Sequence, residues 1–411
     1  MDKKLLILPL LLIFFSGCSL FGNVAIGTQE DFVGRQGFNT VFGDTVVASR
    51  IPNFAAQFQY GLETNSFNST IVGSGSFDFT DSMLNIHTGT DSNGSVILES
   101  TNYLRYIPGY EVQGLFTAIF SNDTNINQRA GIFDDENGFY LKWNGENFQG
   151  CRIRDSVESC DNLNTTDVFG EGIDLNISNG NIYSFSYGYL GFAPITFSVM
   201  TPQGSWVLLH QIEFPNSQPQ THITQSHLPL RAENSNEGST TNSTLSFGSL
   251  WAGIVDGNIV PGTISDPTAR FFTQQSEIKT ASSGNVFAFR SKNTYNGVDN
   301  RIQSLLKLVS CTTDGNKPVA FRLLQNPNVT SANWTDVHEN SVLQVSDNLV
   351  LAAGAEDGTT FMNWGLAKSD SFFEDVSGEN LLLPPGGVAV FYFESTQSTE
   401  TQCSIRWAEL F

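Results

Sequence analysis

Acidic side chains are concentrated in the segment Asp134-Asp135-Glu136-Asn137-Gly138. Clustered carboxylates and carbonyl oxygens are the ligands that Ca²⁺ prefers in proteins. The spacing differs from that of an EF-hand loop, and Asn-Gly is a strong signal for a hairpin turn. Two hypotheses therefore remain open: a calcium site formed by Asp134, Asp135 and Glu136, or a solvated hairpin turn. We expect no other cofactor.

Paired carboxyl groups could hydrolyse a glycan if they lay on either side of the scissile bond. Glu171 and Asp174 in "GEGIDLN" are candidates by proximity, but their glycine and asparagine neighbours favour a turn. The five histidines have no familiar zinc spacing, and the chain has neither a Gly-x-Ser-x-Gly elbow nor a phosphate-binding glycine loop. We therefore expect a protein without catalytic residues.

Tryptophan side chains could stack on sugar rings through their apolar faces. Of the six tryptophans, Trp334 in "SANWTD" and Trp364 in "FMNWGL" lie beside loop-forming residues. These two are the candidates for glycan stacking, and the other tryptophans are expected in the core.

Cys18 follows a short apolar segment, Leu5–Phe15, that is preceded by two lysines and followed by Ser16-Gly17. This order is typical of an export signal, and the apolar run is shorter than the roughly 20 residues that span a bilayer. Phe15-Ser16-Gly17-Cys18 also resembles a bacterial lipobox. We predict a lipoprotein-type signal at residues 1–17 and lipidation of Cys18, with an ordinary signal peptide as the alternative.

Four cysteines remain once Cys18 is set aside, an even number that suits disulfides in an exported protein. Cys151 and Cys160 enclose a short loop, and Cys311 and Cys403 both belong to the C-terminal part of the chain. We predict these two pairings, and four reduced, buried cysteines are the alternative. Nothing in their spacing indicates zinc.

The composition describes an acidic chain with little helix. The 411 residues carry a formal net charge of −21, which argues against nucleic acid as a partner because phosphate backbones demand basic patches. Abundant aromatic residues, glycine and asparagine favour short strands joined by turns. The alternation in "GFYLKWNG" is an example, since Phe139, Leu141 and Trp143 point to one side and Tyr140 and Lys142 to the other.

These strand signals predict an all-β protein with two antiparallel sandwiches. The first, of the jelly-roll or lectin-like type, covers residues 36–255 and follows a tether at 18–35. A Gly/Pro/Asp-rich linker covers 256–270, and a smaller β-sandwich covers 271–411. The segment Asn300–Ser310 fits either a helix or a strand.

Several segments resemble, in chain order, a family of virion structural proteins of tailed phages and large DNA viruses. The segments that carry the resemblance include "LRYIPGYEVQGLFTAIF", "RAGIFDDENGFYLKWNG", "SHLPLRAE", "FRSKNTYNGVDNR" and "IRWAEL". The resemblance covers about residues 36 to 411 and implies a β-sandwich virion component with no catalytic residues to carry over.

Three functions are consistent with these observations. The first is an exported, non-enzymatic virion or surface structural protein, which attaches and self-assembles as a homo-oligomer or with other surface proteins. We expect this protein on a virion or at the cell surface. A lipid at Cys18 would place it in contact with a membrane, and anchoring in an outer membrane is one such arrangement. The second is a carbohydrate-binding bacterial adhesin, and the third is a glycan hydrolase.

Overall fold

The computed structural model describes residues 50–62, 66–188, 190–255, 266, 268–357, 359–379 and 381–411. The predicted signal, the tether and Cys18 lie outside the described residues. The described chain consists of β-strands and two short 3₁₀ helices, Ala355–Asp357 and Ser377–Glu379. None of its helices is long and apolar enough to cross a membrane. The predicted all-β class is confirmed.

The N-terminal half forms two antiparallel sheets. Their strands are β1 Arg50–Gln57, β2 Phe67–Val72, β3 Ser76–Thr80, β4 Met83–His87, β5 Ser95–Leu104, β6 Glu111–Ile119, β7 Ile126–Phe133, β8 Gly138–Trp143, β9 Phe148–Arg154, β10 Val157–Asn162, β11 Asn181–Tyr187, β12 Ile195–Met200, β13 Trp206–Ile212, β14 Leu228–Asn236 and β15 Thr244–Val255. An eight-stranded sheet has the order β13-β12-β11-β6-β15-β4-β3, with β1 added to β15, and a seven-stranded sheet has the order β10-β9-β8-β7-β14-β5-β2.

The two sheets pack face to face around one hydrophobic core. Phe139 of the seven-stranded sheet meets Tyr187 of the eight-stranded sheet at 4.8 Å between ring centroids, and Phe148 meets Tyr183 at 5.8 Å. In β8 the expected alternation is present, because Phe139 and Leu141 belong to this core whereas Tyr140 belongs to a separate cluster on the outer face. Alternation thus assigns each strand residue to the core or to the outer face.

The C-terminal part of the chain forms a second sandwich. Its strands are β16 Ala269–Gln275, β17 Lys279–Ser291, β18 Thr294–Tyr295, β19 Val298–Asp299, β20 Gln303–Asp314, β21 Val319–Gln325, β22 Val329–Ala332, β23 Thr335–Asp336, β24 Leu343–Ser346, β25 Leu349–Leu351, β26 Thr360–Leu366, β27 Ser371–Asp375, β28 Leu382–Leu383 and β29 Val388–Leu410. The long strand β29 pairs with β21 through its first half and with β16 and β20 through its second half. Strand β17 also pairs with both halves of β29, so these two long strands belong to both layers, and a second core lies between the layers.

The segment Asn300–Ser310, which fitted either a helix or a strand, lies mostly in strand β20. Its apolar residues Leu306, Val309 and Cys311 face the second core. A β-bulge between Leu306 and Leu308 shifts the register, so two core residues are three positions apart instead of two. A spacing of three is also the spacing of one helix face, which explains the ambiguity of the sequence.

The junction between the two sandwiches lies between β15 and β16, and the last two residues of the predicted linker, Ala269 and Arg270, belong to β16. Strand β15 ends at Val255 and β16 begins at Ala269. Within this segment the structure describes Asp266, whose side chain is fully buried, and Thr268. The end of the segment is therefore packed into the protein.

Candidate functional site

Both predicted disulfides are present. Cys151 pairs with Cys160 and Cys311 with Cys403, each with a Cα–Cα distance of 4.1 Å. In each pair the two cysteines lie directly opposite one another on adjacent antiparallel strands. The first bridge closes the β9–β10 hairpin, and the second joins the neighbouring strands β20 and β29, where both cysteines face the second core. Disulfides of this kind are typical of exported proteins.

The acidic loop after β7 faces arginine side chains. Asp134 Oδ1 accepts hydrogen bonds from the backbone N–H groups of Glu136 and Asn137, at 2.8 and 2.7 Å. Asp134 Oδ2 lies 2.5 Å from Arg301, and Asp135 Oδ1 lies 2.8 Å from Arg231. Calcium binding here stays a prediction, and it would require both aspartates to leave their guanidinium partners.

Each of the two tryptophans predicted to stack on sugars has one ring face covered by a protein group. The guanidinium of Arg290 lies 4.6 Å from the Trp334 ring centroid. Trp364 stacks on Phe372 at 4.7 Å, and its indole N–H donates to Glu374. Both side chains are half-buried. A role in glycan binding stays a prediction for each.

The candidate hydrolytic acids lie in an irregular turn. Glu171 lies between Gly170 and Gly172 and has a backbone φ of 57°. Asp174 Oδ1 accepts the backbone N–H of Asp167 at 2.8 Å, so this carboxylate stabilises the turn. Among the described residues, the single group of three potential metal ligands is Cys151, Glu158 and Cys160, and both of these cysteines are in a disulfide.

A buried ion pair joins the two sandwiches. Arg105 follows β5 of the first sandwich, and Asp266 precedes β16 of the second. Their side chains are 2% and 0% exposed, and both Nη atoms of Arg105 donate to the Asp266 carboxylate, one of them over 2.6 Å. The Thr268 hydroxyl is a further partner of Arg105. A buried charge pair with such paired geometry fixes the relative position of its two elements.

A second arginine crosses the same junction. Arg301, just before β20, contacts Asp134 of the first sandwich and donates from Nη1 to the backbone carbonyl of His227 at 2.8 Å. Its guanidinium also lies 5.3 Å from the ring centroid of Tyr103. Gln303 donates to the Tyr103 carbonyl at 3.0 Å. The start of β20 in the second sandwich is therefore fastened to the first sandwich.

His227 also lies at this junction, and its shifted pKa makes the stability of the protein depend on pH. Burial, followed by the charges of Arg105 and Arg301, lowers its pKa from 6.5 to about 4. The unfolded chain therefore binds a proton between pH 6.5 and 4 that the folded chain does not bind. Stability is complete above pH 6.5 and falls as the pH approaches 4.

Because of His227, we expect the free energy of unfolding of the wild type to fall by about 2–3 kcal/mol when the pH is lowered from 7 to 4, at 1.36 kcal/mol per pKa unit. The variant His227→Gln should lack this part of the pH dependence. Urea unfolding at several pH values measures the difference. Parallel pH profiles of the two proteins would contradict the assignment.

The outer face of the seven-stranded sheet carries a charged network, here called the arginine network: Arg129, Arg231, Glu233 and Glu99. Glu233 lies 2.9 Å from Arg129 and 3.4 Å from Arg231, and Arg231 also approaches Glu99 at 3.6 Å. Arg231 and Glu233 alternate along β14 with the core residues Leu230 and Ala232. Burial raises the pKa of Glu99, against the opposing charge of Arg231.

Two aromatic rings lie beneath the arginine network. Phe133 and Tyr140 are fully buried although they point away from the main core, and their ring centroids are 4.4 Å apart. The guanidinium of Arg129 lies 5.6 Å from the Tyr140 ring, and that of Arg231 lies 5.3 Å from the Phe133 ring. The Tyr140 hydroxyl donates to Glu158. The network therefore forms a rigid surface on this face of the sheet.

A cleft of about 450 Å³ continues this surface between the two sandwiches. The first sandwich contributes Asn68, Ser100, Thr101 and Tyr103, and the second contributes Asn326, Pro327 and residues 384–388. Glu99, Thr101 and Tyr103 share one face of β5, so the arginine network leads directly into the cleft. The volume lies within the usual range for small-ligand sites, which often form at domain interfaces.

Three polar groups of the cleft are available to a ligand. Within the described part of the chain, the Asn68 amide and the Tyr103 hydroxyl have no hydrogen-bond partner. Asn326 uses Oδ1 to accept the N–H of Val388 at 2.8 Å, which leaves its Nδ2 group as a donor. An aromatic ring with amide and hydroxyl groups around it provides both stacking and hydrogen bonding.

The sequence analysis does not identify the arginine network or the contacts of Arg301. The segments that carry the family resemblance include Arg129, Arg231, Glu233 and Arg301, but nothing in those segments indicates what these side chains contact. The signal was present in β14, where "LPLRAE" alternates apolar and charged residues in a strand that is central in its sheet. Charged residues at the centre of a sheet are usually paired.

Comparisons with known proteins give fold similarity at low identity. No protein-family model and no curated protein matches the chain. A prokaryotic β-1,3-1,4-glucanase (lichenase) from a mouse hindgut metagenome is 13% identical, covers 49% of this chain and 98% of its own, and has a TM-score of 0.34. The β-glucanase of Bacillus licheniformis is 11% identical, with 49% and 97% coverage and a TM-score of 0.35. These TM-scores carry no information about function.

Proposed function

We propose that the protein is an exported, non-enzymatic attachment protein that binds glycans in the cleft between its two sandwiches. The observation that carries this proposal is the lining of the cleft: the Tyr103 ring surrounded by the Asn68 amide, the Tyr103 hydroxyl and the Asn326 donor. A pyranose ring has apolar C–H faces that pack on aromatic rings and hydroxyl groups that both donate and accept hydrogen bonds.

Ion pairs hold the surface beside the cleft and the two walls of the cleft in place. The Glu233 carboxylate contacts two guanidinium groups, at 2.9 and 3.4 Å. The buried ion pair between Arg105 and Asp266 holds the two walls of the cleft in fixed positions, which reduces the entropic cost of binding.

A glycan array probed with the purified full-length protein tests this proposal. We expect binding that is lost in Tyr103→Ala and weakened in Tyr103→Phe and Asn68→Ala. The Asn68 side chain is exposed and makes no hydrogen bond within the described chain, so its replacement leaves the fold intact. The matched control is Tyr60→Ala, because Tyr60 is 94% exposed and does not line the cleft. An array with no bound glycan would refute the proposal.

Assembly into a particle or surface layer is a second candidate, supported by one edge strand. Strand β27 pairs with β20 on one side and has no strand partner on its other side within the described residues. Its Phe373 is 71% exposed. Exposed apolar edge strands are available for pairing with another chain. Analytical ultracentrifugation of the wild type and Phe373→Lys tests this candidate, and a monomeric wild type at tens of micromolar would exclude it.

A further inference from the structure

Given the glycan site proposed above, on which this inference rests, we infer that the ligand is a neutral glycan built from uncharged hexose or N-acetylhexosamine units. The first reason is the cleft lining, in which none of the side chains that the structure describes is charged. The polar groups available there are amides and a hydroxyl. These match sugar hydroxyl and acetamido groups, which are themselves uncharged donors and acceptors.

The second reason is that the guanidinium groups nearest the cleft are already matched by carboxylates. Arg231 contacts Asp135 at 2.8 Å, Glu233 at 3.4 Å and Glu99 at 3.6 Å. Arg301 contacts Asp134 and the His227 carbonyl. An acidic sugar needs a cation to compensate the desolvation of its own charge. Here it would have to displace a protein carboxylate to gain one.

The third reason is the sign of the surrounding charge. Glu99 lies on the same face of β5 as the cleft residues Thr101 and Tyr103, and the charges of Asp134 and Asp135 act on it as well. The whole chain carries −21. Uronate, sialylated and sulfated glycans therefore meet like charge at the mouth of the cleft, and this repulsion disfavours them relative to neutral glycans.

The test compares neutral glycans with sialylated, sulfated and uronate-containing glycans on one array, at low and at physiological salt. We expect neutral glycans to bind at both salt concentrations, and Tyr103→Ala to lose them. Glu99→Gln removes one carboxylate beside the cleft. It should leave neutral binding within about twofold and increase any residual binding of acidic glycans at low salt, where charge is least screened.

The outcomes separate this inference from the proposed function. If acidic glycans bind more tightly than neutral ones and Tyr103→Ala abolishes their binding, the cleft is a glycan site but the neutral class is wrong. If neutral glycans bind and Tyr103→Ala or Asn68→Ala has no effect, both the inferred contacts and the proposed site are wrong. If no glycan binds, the proposed function and this inference fail together.

Discussion

Replacing Asp266 with asparagine is expected to lower the free energy of unfolding by about 3–5 kcal/mol, because it leaves the Arg105 charge buried without its partner. Both side chains are almost completely excluded from solvent, at 2% and 0% exposure. Arg105 Nη1 donates to Asp266 over 2.6 Å, and its other Nη atom also faces this carboxylate. Asparagine keeps one acceptor oxygen for Arg105, but it replaces the other oxygen with an NH2 donor and removes the compensating negative charge.

The matched control is Glu394→Gln, which neutralises a carboxylate in an exposed ion pair. Glu394 lies 2.8 Å from Arg322, and these side chains are 44% and 25% exposed. Exposed pairs contribute about 0–1 kcal/mol. Urea unfolding of both variants measures the difference. The double variant Arg105→Met, Asp266→Leu should recover much of the lost stability, because it removes the buried charge itself. Equal effects of the two single neutralisations would contradict the role of the buried pair.

Removal of the Cys311–Cys403 bridge by a double alanine replacement is expected to destabilise the second sandwich by about 4–5 kcal/mol in the chain-entropy model. The sequence separation of the bridge is 92 residues, so the reduced, unfolded chain gains much conformational freedom. Cys311 and Cys403 are 1% and 0% exposed. Alanine therefore fits their sites but leaves a small cavity, which adds to the loss.

The other bridge provides the comparison. Cys151 and Cys160 are nine residues apart, and the same model gives about 2.5–3 kcal/mol for a loop of this length. Chemical denaturation of the two double variants in parallel measures the ratio. A smaller effect for the Cys311–Cys403 bridge than for the Cys151–Cys160 bridge would show that the entropy of loop closure does not dominate here.

The strand architecture and both disulfides were predictable from the sequence. Alternation along a segment such as "GFYLKW" is a local property, and an even cysteine number limits the pairings. The ambiguity at Asn300–Ser310 has a local cause too, since a β-bulge imposes a spacing of three on two core residues of β20. A bulge leaves no unambiguous mark in a single sequence.

The arginine network and the cleft were not predictable, because their partners are far apart in the chain. Arg105 and Asp266 are separated by 161 residues, and Gln303 and Tyr103 by 200. Neither alternation nor composition indicates which charges meet across such distances. Trp334 and Trp364 illustrate the same limit, because the sequence does not indicate that Arg290 and Phe372 pack against their rings or that neither tryptophan lines the cleft.

The central claim is that a glycan binds in the cleft through Tyr103. The most direct measurement is the affinity of the best array glycan for Tyr103→Ala, Trp334→Ala and Trp364→Ala, determined by titration calorimetry beside the wild type. Truncation of a central aromatic contact costs about 2 kcal/mol or more, which is a loss of about 30-fold. We predict a loss of this size for Tyr103→Ala and less than threefold for the two tryptophan variants. Full affinity in Tyr103→Ala, with a large loss in either tryptophan variant, would contradict the account.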